Sequence, residues 1–105
     1  MKVLFKSSKL QKICESEKEL CRKYGKQQAG EIVKRINELV AAESLYDISK
    51  LPQARLHKLA GNYKNHFAVD IKHPYRLILL PSNGGDFVNL KLITIVEIIK
   101  IEDYH

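Results

Sequence analysis

The spacing of apolar residues changes period once along the chain, close to Pro52. Up to that point it is helical. Leu10, Ile13, Cys14, Leu20, Cys21 and Tyr24 fall on one face with Lys and Glu opposite, which predicts a first helix. Ser7 and Ser8 offer its N-cap and Gly25 its stop. Ala29, Ile32, Val33, Ile36, Leu39 and Val40 repeat the pattern and predict a second helix, antiparallel to the first in an αα-hairpin. Leu45 to Leu51 adds a turn of helix, and Met1 to Phe5 alternates weakly, as a short edge strand does.

Beyond Pro52 the period is that of strands. Arg55 to Leu59 reads as a short strand. His66 to Lys72 alternates, with Phe67, Val69 and Ile71 on one face. Tyr75 to Leu80 is rich in β-formers and stops at Pro81. Ser82-Asn83-Gly84-Gly85-Asp86 is a strong turn signal, and Phe87 to Ile101 is the last and longest β run. Helices first and strands afterwards predict an α+β fold, a helical hairpin packed on a small, mostly antiparallel, twisted sheet. No repeat or linker divides it, so residues 1–105 are read as one domain.

Composition narrows the class. With 105 residues, 45% of them hydrophobic, the chain can fill a modest core, and the composition argues against disorder. No apolar run approaches the roughly 20 residues of a membrane span. Met1 to Lys6 is too short for a signal peptide, which points to the cytoplasm. Cys14 and Cys21, taken on one helix two turns apart, would be separated by roughly 10 Å along the axis, too far for a disulfide. They read as small reduced core residues.

Charge and chemistry concentrate in the second half. The net charge of +6 favours an anionic partner. Arg55, Lys58, Lys64, Lys72 and Arg76 stand against a single acid, Asp70, with His57, His66 and His73 among them. His66 and His73 read as surface residues, and Asp70 as a possible structural mate for Arg76. The final strand runs directly into Glu102-Asp103-Tyr104-His105, a cluster suited to moving protons at a position that usually carries solvated filler. Anchoring by that strand would order even the last residue.

Leu56-His57-Lys58-Leu59-Ala60-Gly61, then Pro74-Tyr75-Arg76-Leu77-Ile78, then the terminal Asp103-Tyr104-His105, in that order, resemble the HigB group of RelE/ParE-type toxins. The resemblance spans nearly the whole chain and implies a compact α+β toxin that cleaves mRNA on the ribosome. It also implies neutralisation by a HigA-type helix-turn-helix antitoxin. Carried over residue by residue, it points to His57, Arg76, Asp103, Tyr104 and His105 as catalytic, with Arg55, Lys58, Lys64 and Lys72 as RNA-binding cations. Ala60 stands where the family pattern has a lysine.

These residue types suit RNA cleavage. RNA carries its own nucleophile, the 2′-hydroxyl. The reaction needs a base for it, an acid for the leaving 5′-oxygen and a cation for the phosphoryl oxygens. Histidine titrates near neutrality and arginine offers phosphate a rigid fork of donors. The scheme uses no cofactor, and no clustered metal-ligand set is expected. Two other classes share the pattern: a ParE-like toxin that inhibits a protein such as DNA gyrase, and an RNA-binding module without catalysis. The first has no use for a terminal proton-transfer cluster. The second needs exposed stacking aromatics, and few of the chain's eight aromatics sit among these lysines.

Overall fold

The computed structural model describes residues 1–82 and 89–104. Strand β1 (Lys2–Phe5) is followed by helices α1 (Ser8–Cys14), α2 (Glu17–Tyr24), α3 (Lys26–Ala41) and α4 (Leu45–Ser49). Strands β2 (His57–Lys58), β3 (Phe67–Asp70), β4 (Tyr75–Pro81) and β5 (Ile95–Asp103) complete it, with 3-10 turns at Pro52–Ala54, Gly61–Tyr63 and Leu90–Leu92. The strands form one five-stranded sheet in the order β1-β5-β4-β3-β2. β1 runs parallel to β5, and the other neighbours are antiparallel. This is the α+β architecture expected from the change of period.

Two elements differ from expectation. The apolar positions from Leu10 to Tyr24 do not form one helix. Ser16 leaves helical geometry (φ −113°, ψ 106°), and its hydroxyl accepts from the Glu19 amide at 3.2 Å, starting α2. Glu17 and Glu19 in the first turn and Arg22 and Lys23 in the last complement the helix dipole. Cys14 and Cys21 therefore lie on different helices, both as free thiols. Burial, aided by the Glu15 charge, pushes the Cys14 thiol up to about 11. The last strand also begins later than its apolar run, because Leu90–Leu92 close a 3-10 turn capped by the Asn89 side chain. Of the expected glycine turn, only Ser82 falls within the described residues.

Gly25 ends α2 and starts α3 with φ +86°, a left-handed backbone that a side chain would strain. α3 then lays Ala29, Ile32 and Leu39 on the sheet face formed by Phe67, Val69, Leu77, Leu79, Val96, Ile98 and Ile101. Two polar side chains of α3 are buried in the same contact. Gln28 donates to the carbonyls of Lys72 (2.6 Å) and His73 (3.5 Å) in the β3–β4 turn. Arg35 donates from Nε to the Asp70 carbonyl at 2.7 Å and pairs with Glu38 and Glu31. Both contacts hold the turn end of the β3–β4 hairpin on the helix.

The Arg35 side chain is only 3% exposed, so its truncation strands the Asp70 carbonyl and the half-buried Glu38. Arg35→Ala is expected to lower the unfolding free energy by roughly 3–5 kcal/mol in a denaturant titration. A loss under about 1 kcal/mol would show that the hairpin does not depend on this contact.

Candidate active site

Strand alternation sends Phe67, Val69, Leu77 and Leu79 into the helical core and the residues between them to the opposite, open face. On that face the registers align one row of charges. Glu102 on β5 lies opposite Arg76 on β4, and Arg76 opposite Asp70 on β3. Arg55, preceding β2, closes the row. Arg76 donates from Nε (2.9 Å) and Nη2 (2.7 Å) to one Glu102 oxygen. Arg55 donates from Nε (2.5 Å) and Nη2 (3.1 Å) to the two oxygens of Asp70. The row is thus a ladder of alternating sign, electrically balanced. The mate of Arg76 is Glu102, and Asp70 is engaged by Arg55 instead.

Tyr104 covers the ladder. Its ring lies 4.6 Å from the Arg76 guanidinium carbon, and its hydroxyl interacts with Arg55. Its amide donates to the Pro74 carbonyl at 3.1 Å, which fixes the chain after β5. The His73 ring meets Tyr104 edge-on at 6.2 Å between centroids. From the other side, Tyr63 presents its phenol to Glu102 as a hydrogen-bond donor. Tyr63 belongs to the segment 59–66, closed by Leu59 N–H to the His66 carbonyl and His66 N–H to the Tyr63 carbonyl, both 3.0 Å. Ala68 and Ile78, on the ladder face one row away, are fully buried, so the face is covered at that row.

The electrostatics follow from these contacts. Burial alone would raise the Glu102 carboxyl. Hydrogen bonds from Arg76 and Tyr63, with the Arg76 and Lys100 charges, outweigh it and hold the group below the ordinary carboxylate range. The bond to that carboxylate, then burial and the carboxylate charge, push the Tyr63 phenol up, so it is a neutral donor at pH 7. Both Arg76–Glu102 bonds use Nε and Nη2, which leaves Nη1 of this guanidinium for an anion.

The expected site residues separate into groups. Arg76, Tyr104 and Arg55 meet on the ladder. His57 lies on the same face one row away, opposite Ala68, with Nδ1 2.7 Å from the Arg55 carbonyl oxygen. Two strand spacings put it on the order of 10 Å from Arg76. Asp103 lies opposite Tyr75 in the β4–β5 register, across the strand from Glu102. Lys58 and Lys64 line a shallow cavity of about 170 Å³ with Leu59, Asn65 and His66. Lys72 is exposed in the β3–β4 turn, and Arg55 is a ladder member, not an unpaired cation. His105 lies outside the described residues. Reading the sequence alone places Glu102 in the terminal cluster without the role of partner to Arg76, and omits Tyr63 and His73 from the site. Among the described residues no three His, Cys, Asp or Glu side chains converge as a metal site, and no helix is long and apolar enough to cross a membrane.

Glu102 makes the ladder acid-sensitive. A depressed folded-state pKa contributes stability that is fully present above the ordinary value of 4.5. That stability is lost as pH falls through the depressed value. Glu102→Gln should therefore be less stable than the parent at pH 7 and flatten the decline of unfolding free energy below pH 4.5. Parallel pH curves for the two proteins would show that Glu102 is not held ionised by Arg76 and Tyr63.

No protein-family model and no curated protein matches the sequence. Solved structures do. A YoeB–YefM complex from Staphylococcus aureus contains a chain that superposes with a TM-score of 0.58 at 14% identity, over 100% of this chain and 97% of that one. A YoeB/ParE toxin from Agrobacterium tumefaciens superposes with a TM-score of 0.56 at 16% identity, over 100% of both chains. Full coverage in both directions at such low identity is likeness of fold. This chain shares the fold of those two chains, one from a YoeB–YefM complex and one a YoeB/ParE toxin.

Proposed function

We propose that this protein is the toxin of a toxin–antitoxin pair and that it cuts mRNA on the ribosome by metal-independent attack of the 2′-hydroxyl. The observation that carries this reading is the presentation of Arg76 on the open sheet face, fixed by Glu102 and stacked against Tyr104. A preset guanidinium costs no reorganisation when charge builds on the phosphoryl oxygens. The Tyr104 ring offers a surface for a base, and His73 stands at its edge. In the reaction the 2′-oxygen bonds to phosphorus and the bond to the 5′-oxygen breaks. His57, or His105 following Tyr104, takes or supplies the proton. Asp103, on the other side of β5 from Glu102, does not face His57 and takes no part in orienting it.

The cytoplasmic neutralising partner in this scheme is a HigA-type antitoxin, as the sequence resemblance implies. The YoeB neighbour was itself solved in complex with YefM. Lys58, Lys64 and Lys72 contribute to RNA binding by charge, and that contribution weakens with salt. The ribosome supplies what a small face cannot: a codon already stretched, with the 2′-hydroxyl in line with its leaving group.

Arg76→Ala is expected to slow cleavage of mRNA on translating ribosomes by about 100- to 1,000-fold. Arg76→Lys should recover only part of the loss, since it restores the charge without the fork. Growth arrest by Arg76→Ala at the parental level, with messages intact, would favour the gyrase-type alternative. Growth arrest with messages still cut would make Arg76 structural.

A further inference from the structure

The backbone of Arg55 is left-handed (φ +44°, ψ +54°), a conformation that residues other than glycine rarely adopt. Its carbonyl oxygen lies 2.7 Å from Nδ1 of His57. A carbonyl only accepts, so Nδ1 carries a proton. In the neutral ring that leaves Nε2 bare, as an acceptor. Backbone and side chain both hold the left-handed turn. The Arg55 N–H donates to the Pro52 carbonyl at 3.2 Å, and the guanidinium grips both oxygens of Asp70. Asp70 is held in turn through its own carbonyl by the buried Arg35. A line of contacts therefore runs from the helical core to one nitrogen of His57.

His57 is half-buried on β2, the outer strand, and projects from the same sheet face as Arg76. Two strand spacings put the two residues on the order of 10 Å apart. Two hydrogen bonds of about 2.9 Å, an attack distance of about 3 Å and one P–O bond bridge a gap of that size. A 2′-hydroxyl can thus meet Nε2 while a phosphoryl oxygen meets Nη1 of Arg76. We propose that Arg55 is a positioning residue, whose left-handed carbonyl fixes the tautomer of His57 so that Nε2 takes the proton of the 2′-hydroxyl. As that O–H bond breaks, its electron pair forms the bond from the 2′-oxygen to phosphorus. The bond to the 5′-oxygen breaks, and that oxygen leaves with a proton from a separate general acid. The guanidinium of Arg55 is taken by Asp70, so its contribution is geometry and not charge. The proton step rests on the cleavage reading above. The tautomer does not.

Nitrogen NMR of the ring reads the tautomer directly. In the parent, with the ring neutral, about nine-tenths or more of the His57 proton should sit on Nδ1. His66 makes the same contact with the Lys64 carbonyl at 3.0 Å, through a backbone that Arg55 does not set, and is the internal control. Arg55→Ala removes the grip on Asp70 and disfavours the left-handed turn. It should leave about a fifth or less of the His57 proton on Nδ1 and lower kcat on translating ribosomes about fivefold or more, in proportion. KM should change less than about twofold, since ground-state binding is untouched. Arg55→Asn removes the same charge but accepts the left-handed turn. It should keep the tautomer and stay within about twofold of the parental kcat.

A parent ring with its neutral-form proton on Nε2 overturns the proposal, and that observation needs no variant to fold. Equal loss of kcat in Arg55→Ala and Arg55→Asn, with His57 still protonated on Nδ1, would make Arg55 a cation for phosphate and overturn it as well. If messages are cut by the parent and cut as fast by His57→Ala, the cleavage reading stands and the proposal falls. If the tautomer moves in Arg55→Ala as stated but the parent leaves messages uncut, the cleavage reading fails and takes the proton step with it, while the positioning of the ring by Arg55 stands.

Discussion

The register of β4 against β5 is the constraint on which the rest of the structure depends. It sets Leu77 against Ile101 on the core face and Arg76 against Glu102 on the open face. One residue of slip would exchange the two faces and bring the charges into the core. The irregularity at Ile78 and Leu79 lets the rest of β5 return Ile98 and Val96 to the core while the ladder residues stay outside. Because β3 continues the same alternation, one register decision aligns charges on three strands.

The helices hold that row in place from beneath. Arg35 binds the backbone carbonyl of Asp70, whose carboxylate holds Arg55, and Gln28 binds the turn that leads into Arg76. The position of the open-face guanidinium groups is therefore inherited from buried polar contacts of α3. Each such contact is costly to leave unmade, which makes the arrangement specific as well as stable. The same design leaves the ladder balanced. An incoming phosphate must use the remaining Nη1 of Arg76 or draw the guanidinium from Glu102, whose ionised state depends on Arg76 and Tyr63.

Much of the fold is legible in the sequence because burial has a period. The helix of Ala29 to Val40, the strands around Val69 and Leu77 and the edge strand at Val3 all follow from it. Failures occur where the period continues through a break. Leu10 to Tyr24 stays in helical phase across Ser16, whose capping geometry is a local hydrogen-bond event that apolar spacing does not register. Leu90 and Leu92 look like strand residues because their spacing of two fits strand alternation, yet they close a 3-10 turn in which Leu92 is exposed. The candidate site is legible by residue type and not by partnership. Arg76 and Tyr104 stand out, but their ligands are chosen across strands. Asp70 is nearer to Arg76 in sequence than Glu102, yet it is taken by Arg55. Tyr63 sits in a turn with nothing local to mark it, and only the closure of segment 59–66 brings it to Glu102.

In the proposed reaction the open face cleaves RNA through the message's own 2′-hydroxyl. The chemistry of the cut ends tests it most directly. Messages recovered from translating ribosomes exposed to the protein should carry a 5′-hydroxyl on the downstream fragment and a 2′,3′-cyclic or derived 3′-phosphate on the upstream one. A 5′-phosphate on the downstream fragment would show that water, not the 2′-oxygen, attacked. Growth arrest with uncut messages would remove the nuclease reading altogether.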